Sequence, residues 1–202
     1  ECAKDADESV REHAFDAIGV LAGESNLAAI VDLAVRTTGA GSREAAGKAL
    51  VSVASKSSTE GQRVAAMVAA LSATTEPDAK CLLLRALGQI GDKSALSTLV
   101  ATAKDSNAPV KAAAMGALSE WPTCDPLNSL VALAEVESDA ALRVAALRGC
   151  LRMMALGSSR AAQERVELYK RCLVLAKSTD EKKIVVEALG AIGDAEAIPL
   201  LQ

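Results

Sequence analysis

Aromatic residues are almost missing from this sequence, which has one Phe, one Trp and one Tyr among 202 residues. Large globular cores usually take much of their buried area from aromatic side chains. Half of the chain is nonetheless apolar, and most of that half is Ala, Leu and Val. Ala and Leu are strong helix formers, and small Ala side chains let helices pack closely. The composition therefore predicts thin layers of helices and argues against a thick globular core.

Histidine is nearly missing as well, and this removes most catalytic and metal-binding arrangements. The one histidine, His13, follows Glu12, and a single His cannot supply repeated His-Glu metal motifs. The phosphate-binding pattern G-x-x-x-x-G-K-[ST] does not occur. We therefore expect no catalytic residue, no metal site and no cofactor, and we expect His13 to be exposed or at the edge of the core.

The cysteines lack the short spacings that bind zinc or carry out redox chemistry. The chain has no C-x-x-C pair, and an odd number of cysteines at long spacings indicates neither a zinc knuckle nor a disulfide framework. We expect reduced thiols in the core or on the surface, which favours a cytoplasmic location. The five are Cys2, Cys81, Cys124, Cys150 and Cys172.

The sequence also lacks an excess of positive charge and has few long apolar runs. The chain has 22 Lys and Arg against 26 Asp and Glu, a formal net charge of −4. This balance argues against a nucleic-acid partner held by a broad positive field. The longest uncharged run, at 64–75, has twelve residues, whereas a membrane-spanning helix needs about 20. We therefore expect neither nucleic-acid binding nor a membrane span.

What the sequence does contain is one pattern repeated six times. A basic residue, here called the head, is followed by apolar residues three and seven positions later and by a small residue six positions later. This spacing traces one face of an α-helix. Since the sixth position is always Ala or Gly, we expect a neighbouring helix to cross closely there. The heads, 31 to 39 residues apart, are Arg11, Arg43, Lys80, Lys111, Arg143 and Lys182.

Each helix that carries a head, here called a head helix, is followed by a break and a second apolar stripe. At Gly91-Asp92, for example, glycine allows a left-handed turn and aspartate can cap the next helix. Two insertions, at 55–62 and 155–163, lengthen such breaks, and the first reads as a solvated linker. Side chains four positions before a head can cap its helix or favour its dipole; they are Asp7, Glu76, Asn107 and Asp139.

Short segments at the two ends of the head helices carry a family resemblance. Three helices open on an apolar-basic pair: Val10-Arg11, Val110-Lys111 and Leu142-Arg143. Two close on A-L-G-Q-I-G-D at 86–92 and A-L-G-A-I-G-D at 188–194. These segments resemble HEAT repeats, and more narrowly the bacterial HEAT-like repeats of phycobilin lyases.

The resemblance implies an all-α fold, a right-handed α–α superhelix (solenoid) of about six antiparallel helix pairs with the last one truncated. It covers essentially the whole chain, so we expect a single array. Because the chain starts and stops inside repeats, we expect a fragment of a longer protein. The expected repeats lie near 7–39, 40–73, 74–105, 106–137, 138–177 and 178–202.

The resemblance also implies how the chain is used. The head helices would line a concave surface, and the six heads would form a structural ladder bonded to carboxylates or carbonyls of the adjacent turn; an anion-binding stripe is the alternative. Side chains one and five positions after each head would point outward, either as a binding surface or as an ordinary solvated face. The candidate binding residues are Glu12, Glu44, Lys48, Arg85, Arg148 and Arg152.

Mixed charge of this kind suits a protein or peptide partner. We therefore expect a monomeric, non-catalytic interaction scaffold whose partner is unidentified. Two alternatives stay open: a structural spacer in a larger, sometimes exported, multidomain bacterial protein, and a lyase- or glycosylase-like module. Trp121, at a predicted turn, is interpreted as a plug in the core; the alternative is a recognition aromatic at the solenoid edge.

Overall fold

The computed structural model describes residues 1–156, 162–192 and 195–202, and over these residues the chain is helical, with no strand. The all-α class predicted from the sequence is confirmed. None of the described helices is long and apolar enough to cross a membrane. The α-helices of the described part are α1 (Glu8–Leu21), α2 (Leu27–Arg36), α3 (Ala40–Ala54), α4 (Gln62–Ala73), α5 (Pro77–Ile90), α6 (Leu96–Thr102), α7 (Ala108–Ser119), α8 (Leu127–Val136), α9 (Ala140–Ala155), α10 (Ala162–Leu175) and α11 (Thr179–Ile192).

The six heads lie on the odd-numbered helices, one head on each, so the repeated pattern marks every second helix. Each of the first five expected repeats contains two α-helices, and the sixth contains α11 and the 3-10 helix Ala195–Leu200. The chain forms two compact units, Glu1–Ala117 and Leu118–Gln202. The single continuous array stays a prediction.

In the first unit, α1 packs along α3 and α3 packs along α5, while α2 and α4 cover them from the other layer. The third, sixth and seventh positions after the head are buried in α3 and α5, as in Ala46, Ala49 and Leu50 of α3, whereas in α1 they are exposed or half-exposed. The core is therefore a layer of Ala and Leu between successive helices, as the low aromatic content predicted.

Head helices approach one another most closely where the sequence has its small residues. A Cβ added to Gly88 would lie 2.8 Å from the Cα of Ala117, and one added to Gly149 would lie 2.7 Å from the Cα of Ser119. In both contacts the eighth position after one head meets the sixth position after the next. The close crossing predicted from the recurring Ala and Gly is present.

Three of the four predicted helix-opening side chains act as caps. Asp7 accepts hydrogen bonds from the N–H groups of Ser9 and Val10. Asp139 does the same at the start of α9, and Asn107 Oδ1 accepts from the N–H of Val110. The fourth, Glu76, makes no cap hydrogen bond, and α5 instead starts on a proline in its first turn. These caps fix where the head helices begin and hence the repeat register.

The break between α3 and α4 is exposed over most of 55–62, as its interpretation as solvated predicted, but it is not a free linker because hydrogen bonds tie its end to Asp92. Asp92, 1% exposed, accepts hydrogen bonds from the N–H of Gly61 at 2.9 Å and from Arg63 Nε at 2.7 Å. Gly61 has φ +79°, a left-handed conformation that favours glycine. Ser57 is also buried. The second insertion, at 155–163, lies mostly outside the described residues.

The three aromatic side chains belong to the core. Trp121 is fully buried in the turn after α7, as are Phe15 in α1 and Tyr169 in α10. The Nε1 of Trp121 has no hydrogen-bond partner among the described residues. The interpretation of Trp121 as a core plug is confirmed, and a recognition role at an edge is excluded because the indole is not accessible.

All five cysteines are free thiols. Cys81, Cys150 and Cys172 are buried, whereas Cys2 is exposed. Burial raises the pKa of the Cys172 thiol to about 12 and raises the pKa of Cys150 as well. Because the thiolate is the reactive form, these two buried groups are inert at neutral pH and serve as small apolar side chains.

Candidate interaction surface

Four of the heads contact the segment that opens the next head helix. Arg11 Nε donates to Ser42 Oγ at 3.2 Å, and Arg11 Nη2 donates to the Thr38 carbonyl at 3.1 Å. Arg43 pairs with Asp78 at 2.8 Å. These contacts link α1 to the start of α3 and α3 to the start of α5, so they join neighbouring repeats.

The same link recurs in both compact units. Lys80 lies 3.6 Å from Asp105, just before α7, and Arg143 lies 3.6 Å from Glu181 in the first turn of α11. The N–H of Lys177, together with Ser178 and Arg143, lowers the pKa of the Glu181 carboxyl despite its burial. These contacts favour the ladder over an anion-binding stripe. Lys111 is half-buried and Lys182 is exposed.

A second set of basic side chains covers the carbonyl ends of head helices. Lys56 Nζ donates to the carbonyls of Gly19, Val20 and Ala22 at 2.7–3.0 Å, at the end of α1. A cation at a helix C-terminus satisfies free carbonyls and complements the helix dipole. Sequence reasoning missed Lys56, which stands in the insertion beyond the recurring pattern.

Arg152 has the same role at the end of α7, and its assignment to the binding surface has to be corrected. Its guanidinium donates to the carbonyl of Ser119 at 2.8 Å and to that of Trp121 at 2.6 Å. These carbonyls belong to the turn that closes α7, which would lose its cap if Arg152 turned to a partner. Arg152 therefore positions this turn.

Of three further candidates, two pair with each other and the third lies beside the next head helix. Glu44 and Lys48 form an exposed ion pair of 2.7 Å one helical turn apart, which lowers the pKa of Glu44 and raises that of Lys48. Glu12 is half-buried, and a Cβ on Gly41 would collide with Glu12 Oε1 at the start of α3. Glu44 and Lys48 thus match each other's charge, whereas Glu12 makes no hydrogen bond or ion pair among the described residues.

Arg85 and Arg148 differ from the other arginines. Both side chains are exposed, and both stand five positions after a head. Neither makes a hydrogen bond or an ion pair among the described residues, whereas Arg11, Arg36, Arg43, Arg63, Arg143, Arg152 and Arg171 are each held by one. These two guanidinium groups are the candidate interaction residues that the fold leaves available.

Not every position beside the heads faces outward. Cys81, one position after Lys80, was predicted to point outward, but it is buried, with a relative exposure of 8%. Its thiol donates to the carbonyl of Pro109 at 3.5 Å, and burial raises its pKa. The prediction failed because α5 is covered on this side by the opening of α7, which helical periodicity alone does not reveal.

Comparison with protein families gives two matches. A family model described as HEAT repeats matches residues 64–150, and one described as PBS lyase HEAT-like repeat matches residues 183–202. The chain belongs to the HEAT-repeat family. No curated protein sequence matches it. Family membership places the all-helical fold among the α–α solenoids, as predicted, and HEAT repeats commonly mediate protein interactions. The HEAT match at 64–150 includes both unpaired arginines.

Proposed function

We propose that this HEAT-repeat chain is a non-catalytic scaffold that binds a protein partner with acidic side chains, and that Arg85 in the first unit and Arg148 in the second unit are each contact residues. The observation that carries the proposal is that these two exposed arginines lack partners, whereas seven other arginines of the described part are held by hydrogen bonds or ion pairs. Both arginines also occupy the same position in their repeats, five residues after the head.

Arginine is suited to this role for physical reasons. Its planar guanidinium donates two parallel hydrogen bonds to a carboxylate, and it is more weakly hydrated than the ammonium of lysine. Arginine is accordingly enriched at protein interfaces and among the residues that dominate binding energy. An unpaired arginine also has no internal bond to break before it binds a partner.

The non-catalytic part of the proposal rests on the surroundings of the few reactive groups. His13 Nδ1 lies 2.7 Å from the carbonyl oxygen of Ser9 in the preceding turn of its own helix. Burial raises the pKa values of Cys150 and Cys172. We expect the chain to recognise its partner without transforming it.

The test is affinity capture from a lysate of the source organism, with the purified chain as bait and mass spectrometry as the readout. We compare the chain with the double variant Arg85→Glu, Arg148→Glu. A matched control is Arg36→Glu, which reverses an exposed arginine on α2 that pairs with Asp32. All three proteins should show the same circular dichroism, since each side chain is exposed.

A protein retained by the chain and by Arg36→Glu but lost from the double variant would support the scaffold. Equal retention by all three would place the contact elsewhere and contradict the role of the two arginines. If the chain retains no specific protein, the scaffold proposal fails and a structural spacer becomes the better account.

A further inference from the structure

One apolar contact between neighbouring head helices is missing its side chain, and it lies between α3 and α5. The fourth position after the head is a large apolar residue in each of the other head helices, and it is buried in α1, α5, α7 and α9. In α3 this position is Gly47, which is only half-buried. A Cβ added to Gly47 would have no atom from outside its own stretch of helix within 4 Å. Open space therefore lies where other repeats hold a side chain.

The next turn of α3 continues this opening. Val51, at the eighth position after the head, is half-exposed, although the eighth position is buried in α5, α7 and α9. That position faces the next head helix, since Gly88 of α5 lies against Ala117 of α7. We call Gly47 and Val51 the α3 notch. Both flanking helices are interior helices of the first compact unit.

The opposite wall of the α3 notch belongs to α5. The ion pair between Arg43 and Asp78 joins α3 to the first turn of α5. Where α1 meets α3, the eighth position of one helix lies against the sixth position of the next. In the same register the fourth position of α3 faces the second position of α5, which is the buried Leu82. Arg85 follows Leu82 by about one turn of the same helix, so it borders the notch.

The chemistry around the α3 notch indicates what would fit it. Glu44 and Lys48, which flank Gly47 on α3, pair with each other at 2.7 Å. The exposed guanidinium of Arg85 is the charge that stays unpaired among the described residues, and the notch itself is apolar. An occupant that carries one apolar side chain beside a carboxylate matches both features.

We propose that the α3 notch takes one aliphatic side chain of the partner, and that this side chain stands beside a carboxylate that binds Arg85. The inference rests on the proposed function and adds what the partner must present: Leu, Ile or Val next to Asp or Glu. The aliphatic side chain would take the place that Leu84 fills in α5. Burial of apolar surface then supplies affinity, and the carboxylate contact supplies orientation.

The first test selects a phage-displayed library of random linear peptides in parallel on the parent chain, Gly47→Leu, Ala69→Leu and Arg85→Glu. Gly47→Leu fills the notch with the kind of side chain that other repeats carry. Ala69→Leu is the matched control, because it adds the same side chain at an exposed position of α4, in the other layer of the same unit. Circular dichroism checks that each protein is folded.

We expect the parent chain and Ala69→Leu to select peptides in which an aliphatic residue stands beside Asp or Glu. Gly47→Leu should lose the aliphatic preference, and Arg85→Glu should lose the acidic preference. Selection of the same peptides by Gly47→Leu would overturn the notch and leave Arg85 as a contact residue. Loss of the aliphatic preference in Gly47→Leu with an unchanged acidic preference in Arg85→Glu would support the notch and contradict the role of Arg85.

The second test measures the binding of one selected peptide, made synthetically with a fluorescent label, by fluorescence polarisation. Replacing its aliphatic residue by Ala should weaken binding to the parent chain at least about tenfold. On Gly47→Leu the same replacement should have little further effect, because the two changes remove one contact. If Gly47→Leu does not fold, Gly47→Ala takes its place: its methyl group has room, and it should weaken binding while keeping the fold.

A parent chain that enriches no peptide would overturn the proposal. Equal weakening of the Ala-containing peptide on the parent chain and on Gly47→Leu would overturn it as well. Self-association of the parent chain that Gly47→Leu abolishes, measured by light scattering, would identify a second copy as the occupant and would also overturn it. None of these results depends on whether the affinity capture succeeds, so the two proposals can fail separately.

Discussion

At the residue scale, the most strongly held charge is the Asp92 carboxylate. Burial would by itself raise its pKa, but hydrogen bonds from Ser94, from the N–H of Gly61 and from Arg63 outweigh burial and hold the pKa well below its ordinary range. A buried carboxylate with this many donors is costly to replace, because each donor loses its partner. Asp92 thus fixes the break between α3 and α4 against the turn that follows α5.

We predict that Asp92→Asn lowers the free energy of unfolding at pH 7 by about 1–3 kcal/mol, because the amide cannot satisfy the same donors. The measurement is urea unfolding. Asp32→Asn, which alters an exposed pair with Arg36, should change stability little. Comparable losses in the two variants would show that burial of Asp92 does not matter.

The pH dependence of the same variant has a definite sign. Because the pKa of Asp92 is lower in the folded chain than in the unfolded chain, its carboxylate stabilises the fold above about pH 4, and that contribution is lost as the pH falls further. Asp92→Asn should therefore lose less stability than the parent chain as the pH falls below 4. Parallel curves for the two proteins would contradict this.

Replacing glycine by alanine should change the stability of the chain in opposite directions at Gly88 and at Gly47. Gly88→Ala places a Cβ 2.8 Å from the Cα of Ala117, and overpacking of this kind costs about 1–3 kcal/mol. Gly47→Ala places a Cβ in open space within α3 and should stabilise the chain by about 0.5–1 kcal/mol through helix propensity. Thermal unfolding of both variants checks the prediction, and the same sign of change in both would refute it.

At the scale of helices, the stability of the ends of head helices depends on side chains from the next repeat. Lys56 covers the end of α1 and Arg152 covers the end of α7. Both cations lie where the exposed carbonyls of a helix concentrate negative partial charge. In α1 both the head, Arg11, and the carbonyl end are linked to the next repeat, so α1 and α3 are expected to unfold together.

We predict that Arg152→Met lowers the free energy of unfolding by about 1–2 kcal/mol, because carbonyls in the turn after α7 lose their donor. Arg148→Met is the matched control: it lies one turn earlier on the same helix and has no polar partner among the described residues. That control should leave stability within about 0.5 kcal/mol. Chemical unfolding of both variants measures these free energies. An equal loss of stability in both variants would contradict the capping role of Arg152.

Much of this arrangement could be predicted from the sequence, because helical periodicity specifies which side of a helix is apolar. The head helices, their close crossings and three of their caps follow from residue types at fixed spacings. The different roles of Arg148 and Arg152 do not follow, since both occupy exposed positions of one helix. Their roles depend on where the preceding head helix ends, and a tertiary contact of this kind leaves no local pattern.

The same dependence on tertiary contacts explains why the burial of Cys81 and the structure of the break at 55–61 were not predicted from the sequence. A cysteine side chain is compatible with a buried or an exposed position. The burial of Cys81 results from its contact with Pro109, which the local sequence does not show. The Ser- and Thr-containing break looks like a linker until Asp92, about thirty residues later, binds Gly61 and Arg63. Long-range hydrogen bonds, and not composition, determine the structure of this break.

At the scale of the whole molecule, a HEAT-repeat chain divides its surface into parts that bind its own repeats and parts that do not. Four heads (Arg11, Arg43, Lys80 and Arg143), Lys56 and Arg152 are of the first kind, and Arg85 and Arg148 are of the second. Interaction with other molecules is therefore expected at the two unpaired arginines.

The most direct test of the scaffold account is the dissociation constant of the captured partner, measured by titration calorimetry. We predict that Arg85→Glu and Arg148→Glu each weaken binding at least about tenfold, the effect of losing about 1.4 kcal/mol, and that Arg36→Glu leaves it unchanged. Unchanged affinity in both single variants, or equal weakening in Arg36→Glu, would contradict the assignment of the two arginines as the contact residues.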